Sequence, residues 1–446
     1  MTSSRSGRRT VRRFTAATAV LAASTLLLTA CGSGSGSDSA DGTVEITFWD
    51  NNGGPGRTPL WEHMIAEFEK ANPGITVNYV GVPIAQVQQK YDTAVAAGGL
   101  PDVGGVSTAY LSGLAIQEAL EPLDERFEAS PLRDELGANF VESVRAAAHD
   151  DQLYSIPTSA NMGILWYRTD WYEEAGLEPP NTWDNFFTSV EELTDASQNR
   201  YGFTIRGGAG SIPQVLDEIY SMSGIPTVFD ESGQATVNDP ENVAALERIV
   251  DLYQTATPSA DLNNDYTKMV AQFDGGSIGI MHHNLGSYQD HMNTLGPDKV
   301  TGIPLPVSDE GNHNITSNPV DGLGVFRTSE HKEEAWKFVE FVASKAMNSY
   351  WSQNVGQIPA NTSVGEEPWV AENATLASAL EAMNDPATNI VQLPYYLPEF
   401  NAITKTDMEP VFQSVLLGDV SAQEFLDQMA AALEEAQAGW LERQGG

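Results

Sequence analysis

The sequence predicts an α/β protein of two domains, each a sheet flanked by helices. Three observations predict it. Residues 44–106 alternate strand-like and helix-like periods, the pattern of a parallel sheet with helical crossovers. The alternation resumes near Leu153 and gives way to a mostly helical final third. The chain has 446 residues and one cysteine, Cys31, so it must be stabilised by core burial, and roughly 400 residues suffice for two cores.

The leader comes first. Met1–Arg13 holds Arg5, Arg8, Arg9, Arg12 and Arg13 and no acid, and Phe14–Leu28 is uncharged and apolar or small. A basic segment, a short apolar run and a small-residue site make an export signal, expected over 1–30. The apolar run is too short and too rich in Ala and Thr for a membrane span. Leu28-Thr29-Ala30-Cys31 resembles the lipobox of bacterial lipoproteins. That resemblance implies cleavage before Cys31, lipid on its sulfur, and anchoring at the outer face of the cytoplasmic membrane. Arg12-Arg13 also fit a twin-arginine signal. Gly, Ser and Asp dominate the segment that follows, which reads as a flexible tether over 31–43.

Val44–Trp49 alternates and is rich in β-formers, a strand. Thr58 as N-cap and Pro59 at the first helical position open a helix with Trp61, Met64, Ile65 and Phe68 inward, stopped at Asn72-Pro73-Gly74. Ile75–Val80 is a second strand. Val87, Tyr91, Ala94 and Val95 mark a second helix closed by Gly98-Gly99, and Pro101–Val106 is a third strand. Further on, Gly163–Tyr167 reads as a strand and a short helix follows Thr169. Thr182 caps a helix with Phe186, Val190 and Leu193 inward, and Ser277–Met281 is a buried strand. Ala335, Phe338, Val339 and Val342 share one helical stripe, and Ser421–Arg443 is a final amphipathic helix.

Composition excludes several functions. With 23 basic and 61 acidic residues the net charge is −38, a field that repels nucleic acid and anionic lipid. The acids are scattered and read as a solvated surface. Asp261, Asn263 and Asp265 match the start of a calcium loop, but Tyr266 stands where glycine is needed and Gln272 where glutamate is needed. His282 and His283 are adjacent on a strand and point to opposite faces, a poor metal pair. GxSxG, HExxH, GxGxxG and P-loop motifs are absent. No metal, cofactor or catalytic group is expected.

Several stretches in series point further: "VEITFWDNNGG", "LWEHMIAEFEKANPGITVNYV", "YDTAVAAGGLPDV", "DDQLYSIPTSANMGILWYRTDWYEEAGLEPPNTWDNF", "AQFDGGSIGIM", "GLGVFRTSEHKEEAWKFVEFVAS" and "YWSQNVGQIPA". In this order they resemble the bacterial extracellular solute-binding proteins of the maltose/oligosaccharide type, the ligand-capturing subunits of ABC importers. The resemblance implies a two-lobed periplasmic-binding-protein-like fold with two parallel or mixed sheets and a hinge of crossing strands. Lobe one would be 41–160 plus 305–357 and lobe two 161–304 plus 358–446, with crossings near Pro157, Pro304 and Gln357-Ile358-Pro359. It implies a protein that captures carbohydrate between closing lobes and delivers it to a permease; with no large apolar patch or coiled-coil repeat in the sequence, a monomer is expected. "GIMHHNLGS" departs from the family by its paired histidines. A polyamine or phosphate ester on the same fold, or a secreted glycoside-processing enzyme using two facing carboxylates, are the alternatives.

Sugars need aromatic faces for their C–H groups and polar side chains for their hydroxyls. In parallel sheets ligands lie beyond the carboxyl ends of the strands. The candidates there are Asn51 and Asn52 after the first strand, and Ser107, Thr108 and Tyr110 after the third. Thr158, Ser159 and Asn161 lie at the first expected crossing. Arg206 sits in a glycine-rich turn. His282, His283 and Asn284 end a buried strand, Asp321 precedes "GLGVF", and Tyr395-Tyr396 form an aromatic pair in a proline-bounded loop. Trp351 reads as helix packing.

Overall fold

A computed structural model describes residues 43–308 and 310–445. The export signal, Cys31 and the tether up to residue 42 lie outside the described residues. The strands are β1 (Val44–Asp50), β2 (Ile75–Gly81), β3 (Val103–Gly105), β4 (Ile156–Ala160), β5 (Gly163–Arg168), β6 (Ile280–Asn284), β7 (Val300–Pro304), β8 (His313–Thr316), β9 (Val320–Val325), β10 (Ile358–Pro359) and β11 (Thr388–Val391). The first sheet has the order β10-β4-β9-β3-β1-β2. Its β2-β1-β3 part is parallel, while β9, β4 and β10 join in antiparallel fashion. The second sheet is β6-β5-β7, antiparallel about β5, with isolated parallel bridges Tyr201–Ile278 and Thr182–Val307 beside it. A short β11-β8 ribbon stands apart.

The local reasons follow the sequence with two shifts. Thr58 is the first residue of the Thr58–Ala71 helix and not its cap, so Arg57 holds the cap position without a side-chain bond. The Thr58 hydroxyl meets the Tyr79 hydroxyl at 3.1 Å instead. The strand expected at Ser277–Met281 is displaced toward the C-terminus. Gly163–Tyr167 of β5 pair with Asn284–Ile280 in antiparallel register, whereas Ile278 is taken by the bridge to Tyr201. Elsewhere Gly98, at φ 71°, ends the Val87–Ala97 helix, and the Thr182 hydroxyl accepts from Asn185 N as a cap should.

Two cores result. In the first, Phe48, Phe68 and Phe338 pack ring on ring between the first sheet and its helices. The alternation of β5 sends Ile164 and Trp166 into this same core and Leu165 and Tyr167 into the second, so the second sheet is covered on both faces. The second core gathers the Ser211–Ser223, Pro240–Val250 and Met408–Leu416 helices and the C-terminal helix.

The expected lobe boundaries differ from the packing at two crossings. β8 pairs with β11, and Asn314 Nδ2 donates to the carbonyls of Tyr220 and Ile225, so the chain stays with the second lobe until Ser317. β10 pairs with β4, and Asn361 Nδ2 donates to Glu135, so the chain remains with the first lobe through Asn361. Pairing partners far along the chain decide these points, and local pattern does not carry them. Among the described residues no helix is long and apolar enough to cross a membrane.

Candidate functional site

The first-lobe wall is built from strand ends. Asp50 ends β1, is 2% exposed, and accepts from Tyr79 Oη at 2.8 Å and Asn52 N at 3.0 Å. Burial pushes its carboxyl above the usual range, and these bonds oppose that. Asn51 lies over Gly105, where a methyl group would come within 2.5 Å of Asn51 Oδ1. Arg57 reaches back over Trp351, Cζ to ring centroid 5.4 Å. Asn51, Arg57, Trp61, Thr158, Asp321 and Trp351 line a cavity of about 410 Å³, with Ser159 behind them. Gln357 knots the hinge: its Oε1 accepts from Ser159 Oγ at 3.1 Å and Trp351 Nε1 at 2.9 Å, and its Nε2 donates to Asp321 at 2.9 Å. Burial raises the Asp321 carboxyl while the charge of Arg57 lowers it.

The second-lobe wall is the end of β6 with the turn before the Ser211–Ser223 helix. Successive side chains on β6 alternate, so the two histidines part. His282 turns to that helix, Nδ1 at 2.8 Å from Glu218 Oε1 and Nε2 at 3.5 Å from Asp217 Oδ2. Burial alone would lower its pKa, but the two carboxylates outweigh it and raise it to about 9. His283 faces the other way and stacks on Tyr266, centroids 4.6 Å apart. Burial, then the charge of Arg206, keeps His283 neutral, and its Nδ1 has no partner. Arg206 Nε donates to Ala209 O at 2.7 Å, and Glu409 accepts from Gly210 N beside it. The turn carrying Arg206 is held below by Asp261, which accepts from Ile205 N at 2.8 Å. Arg206, Asp217, His283, Asn284, Thr316 and Tyr395 line a cavity of about 400 Å³.

The remaining candidates are placed differently. Ser107 and Thr108 are buried, and the Thr108 hydroxyl accepts from Val320 N at 3.0 Å. Tyr110 is buried, and burial, then the charge of Asp321, pushes its hydroxyl up to about 12. Tyr396 Oη donates to Gln437 and its ring packs on Trp440, whereas Tyr395 lines the cavity. Asn284 Oδ1 accepts from Gly286 N at 2.9 Å. Asn52 bonds to Asp50 through its backbone N–H. Asn161 lines an adjacent cavity of about 480 Å³, which shares Thr316, Ser317 and Asn318 with the second-lobe wall.

Sequence reading missed Arg57, Trp61, Gln214, Asp217, Tyr266 and Thr316. Tyr266 was visible as the residue that spoils the calcium loop. Arg57 stood one residue before an expected cap. Asp217 carried no signal, since it is one acid among 61. Buried side-chain atoms without a partner gather here: Trp61 Nε1, Asn161 Oδ1, His283 Nδ1 and Thr316 Oγ1. Buried polar groups are normally satisfied, so these are unmet donors and acceptors beside aromatic faces. Among the described residues no group of His, Cys, Asp and Glu is placed to hold a metal.

A family profile described as bacterial extracellular solute-binding protein matches residues 54–349. A Brucella abortus protein named as a binding protein is 27% identical over 357 residues, covering 78% of this chain and 83% of its own length. The arabinooligosaccharide-binding protein of Bacillus subtilis is 24% identical over 341 residues, covering 74% and 76%. The maltose-bound MalE3 structure from T. maritima superposes with a TM-score of 0.76 at 24% identity, covering 88% of this chain and all of that one; it establishes the two-lobed periplasmic-binding-protein fold. The chain belongs to the bacterial extracellular solute-binding protein family.

Proposed function

We propose that this protein is the carbohydrate-binding subunit of an ABC importer. It captures a sugar or oligosaccharide between its two lobes and delivers it to a membrane permease. The observation that carries the reading is the pair of cavities, one lined by Trp351, Trp61 and Asp321, the other by His283 and Tyr395 with Tyr266 stacked on His283, and with unpartnered buried polar atoms at both. Aromatic faces beside hydroxyl-bonding groups are what a neutral polyol needs. Relatives named for arabinooligosaccharide and lactose binding support the same class. Closure is a hinge motion in which ligand selects the closed state. The protein acts as a monomer and a binder, not an enzyme, and needs no cofactor. The candidate contacts are those that line the two walls: Asn51, Thr158, Ser159, Asp321, Arg206, His282, His283, Asn284 and Tyr395. Export and lipidation at Cys31 hold it by the tether at the outer face of the cytoplasmic membrane.

The test is thermal unfolding of the chain from Gly32 onward against mono- and oligosaccharides, polyamines and phosphate esters. A ligand at 100 times its Kd stabilises by about 2.7 kcal/mol. A shift with one sugar family supports the reading; a shift with polyamines or phosphates alone overturns the ligand class. Release of reducing ends from a bound oligosaccharide overturns the non-enzymatic reading. Cys31→Ser should move the protein from the membrane fraction to the medium.

A further inference from the structure

The floor of the second-lobe wall holds an ion network that sequence reading did not reach. Asp217 and Glu218 are neighbours on the Ser211–Ser223 helix, and His282 lies between their carboxylates, Nε2 to Asp217 at 3.5 Å and Nδ1 to Glu218 at 2.8 Å. All three residues are more than nine-tenths buried. Gln214, one turn earlier, donates Nε2 to His282 O at 2.8 Å and pins the strand to the helix. Gly163 of β5 makes room for the pair: a methyl group there would lie 2.6 Å from Asp217 Oδ2 and 3.1 Å from His282 Nε2. Of the two acids only Asp217 lines the cavity; Glu218 does not.

We infer that Asp217 is a ligand-reading carboxylate of this site, and that His282, braced by Glu218, is the positioning residue that holds it aimed. The inference rests on the carbohydrate reading above. A carboxylate has more acceptor capacity than one imidazole consumes. His282 occupies Oδ2, which leaves Asp217 able to accept from a hydroxyl of a ligand in the cavity. Such a charge-assisted bond is stronger than a neutral one and demands a donor at one position, which makes Asp217 a selector among sugar epimers. A carboxylate buried this far is driven toward its neutral form by desolvation. The His282 bond and charge oppose that rise, and Glu218 sustains the imidazolium. The other titratable groups facing the cavity are Tyr395, whose hydroxyl burial keeps protonated, Arg206, and neutral His283. None of these three bonds Asp217 among the described contacts.

The test uses the chain from Gly32 onward, titrated calorimetrically with maltotriose and arabinotriose between pH 6 and 8. For whichever trisaccharide binds, the wild-type pH profile is the reference. Asp217→Asn should weaken it by about tenfold to a hundredfold, the loss of a charged acceptor. His282→Gln should make affinity fall more steeply with falling pH than in the wild type, because the imidazolium that opposes protonation of the buried Asp217 is gone. A merely structural histidine would not produce that slope. Glu218→Gln, which keeps shape and hydrogen bonding, should give a weaker slope of the same sign and guards against misfolding of the other variants. Unchanged affinity in Asp217→Asn, or a profile in His282→Gln no steeper than that of the wild type, overturns the inference while leaving the carbohydrate reading intact. Failure of the wild type to bind either trisaccharide overturns the carbohydrate reading for these sugars and the inference with it.

Discussion

Asp261 allows a quantitative test of how the site is supported. It is fully buried and has no cationic partner. It accepts from Ile205 N at 2.8 Å, Asn264 Nδ2 at 2.7 Å and Gln272 Nε2 at 3.4 Å, and so holds the turn that presents Arg206. Burial raises its carboxyl to about 7 from 3.8, in spite of those bonds. Between these two values the folded state keeps a proton that the unfolded state has released. Stability therefore falls as pH rises through this window and levels off above about 7. At about 1.36 kcal/mol per pH unit the total loss is about 4 kcal/mol. Asp261→Asn removes the titration, so the stability difference between variant and wild type should change by about 4 kcal/mol from pH 4 to pH 8. With about 2.1 cal/mol/K per residue over roughly 400 residues, that is a relative Tm change of about 5 °C. The assay is a thermal melt of both proteins across that pH range. Asp50, Asp321 and Asp217 are also raised by burial, but they are common to both chains and cancel in the difference. Parallel pH profiles would refute the reasoning, since they would mean that Asp261 titrates alike in the folded and unfolded states.

Gln357→Leu strands the Ser159 hydroxyl, the Trp351 indole N–H and one oxygen of Asp321; at about 1–3 kcal/mol per orphaned buried group, urea unfolding should show a loss of several kcal/mol. Gly202→Ala places a methyl group 2.0 Å from Val190 O, so stability should fall by about 1–3 kcal/mol as is typical of overpacking, read as a lower Tm, whereas Gly113→Ala, with open space around it, should be nearly neutral. Tyr266→Ala removes the ring that stacks on His283 and should weaken binding of the sugar found by the thermal panel by about 0.5–1.5 kcal/mol, read by calorimetry. Phe338→Ala, at the centre of the first core with Phe48 and Phe68 against it, should cost about 3–5 kcal/mol.

Much of the frame is local and therefore legible. The strands at Val44 and Ile75, the stripe of Ala335, Phe338, Val339 and Val342, and the Thr182 cap depend on period and on neighbours within a turn, and each is where the sequence places it. The end of β1 lines a cavity through Asp50 and Asn51, where a parallel β2-β1-β3 unit opens. The histidines illustrate the limit. Alternation along a strand correctly separates His282 from His283, yet it does not say which one meets two carboxylates and which one meets Tyr266. Thr108 adds a long-range bond: it lines a cavity with Tyr395 and Tyr396, and its hydroxyl oxygen accepts from Val320 N, 212 residues away, a pairing that local pattern does not carry.

The sequence by itself determined the class of the protein and the ends of its sheets, because hydrophobic period, caps and turn residues act over a few positions. Only the tertiary structure decided that Asp217 is a wall residue among 61 acids, that Gln357 ties β4, β9 and the Trp351 helix together, and where the chain changes lobes. Those facts depend on pairings between residues tens to hundreds of positions apart. Such pairings are set by which buried donor or acceptor finds its partner in the packed state, and no window of the sequence contains both halves of that choice.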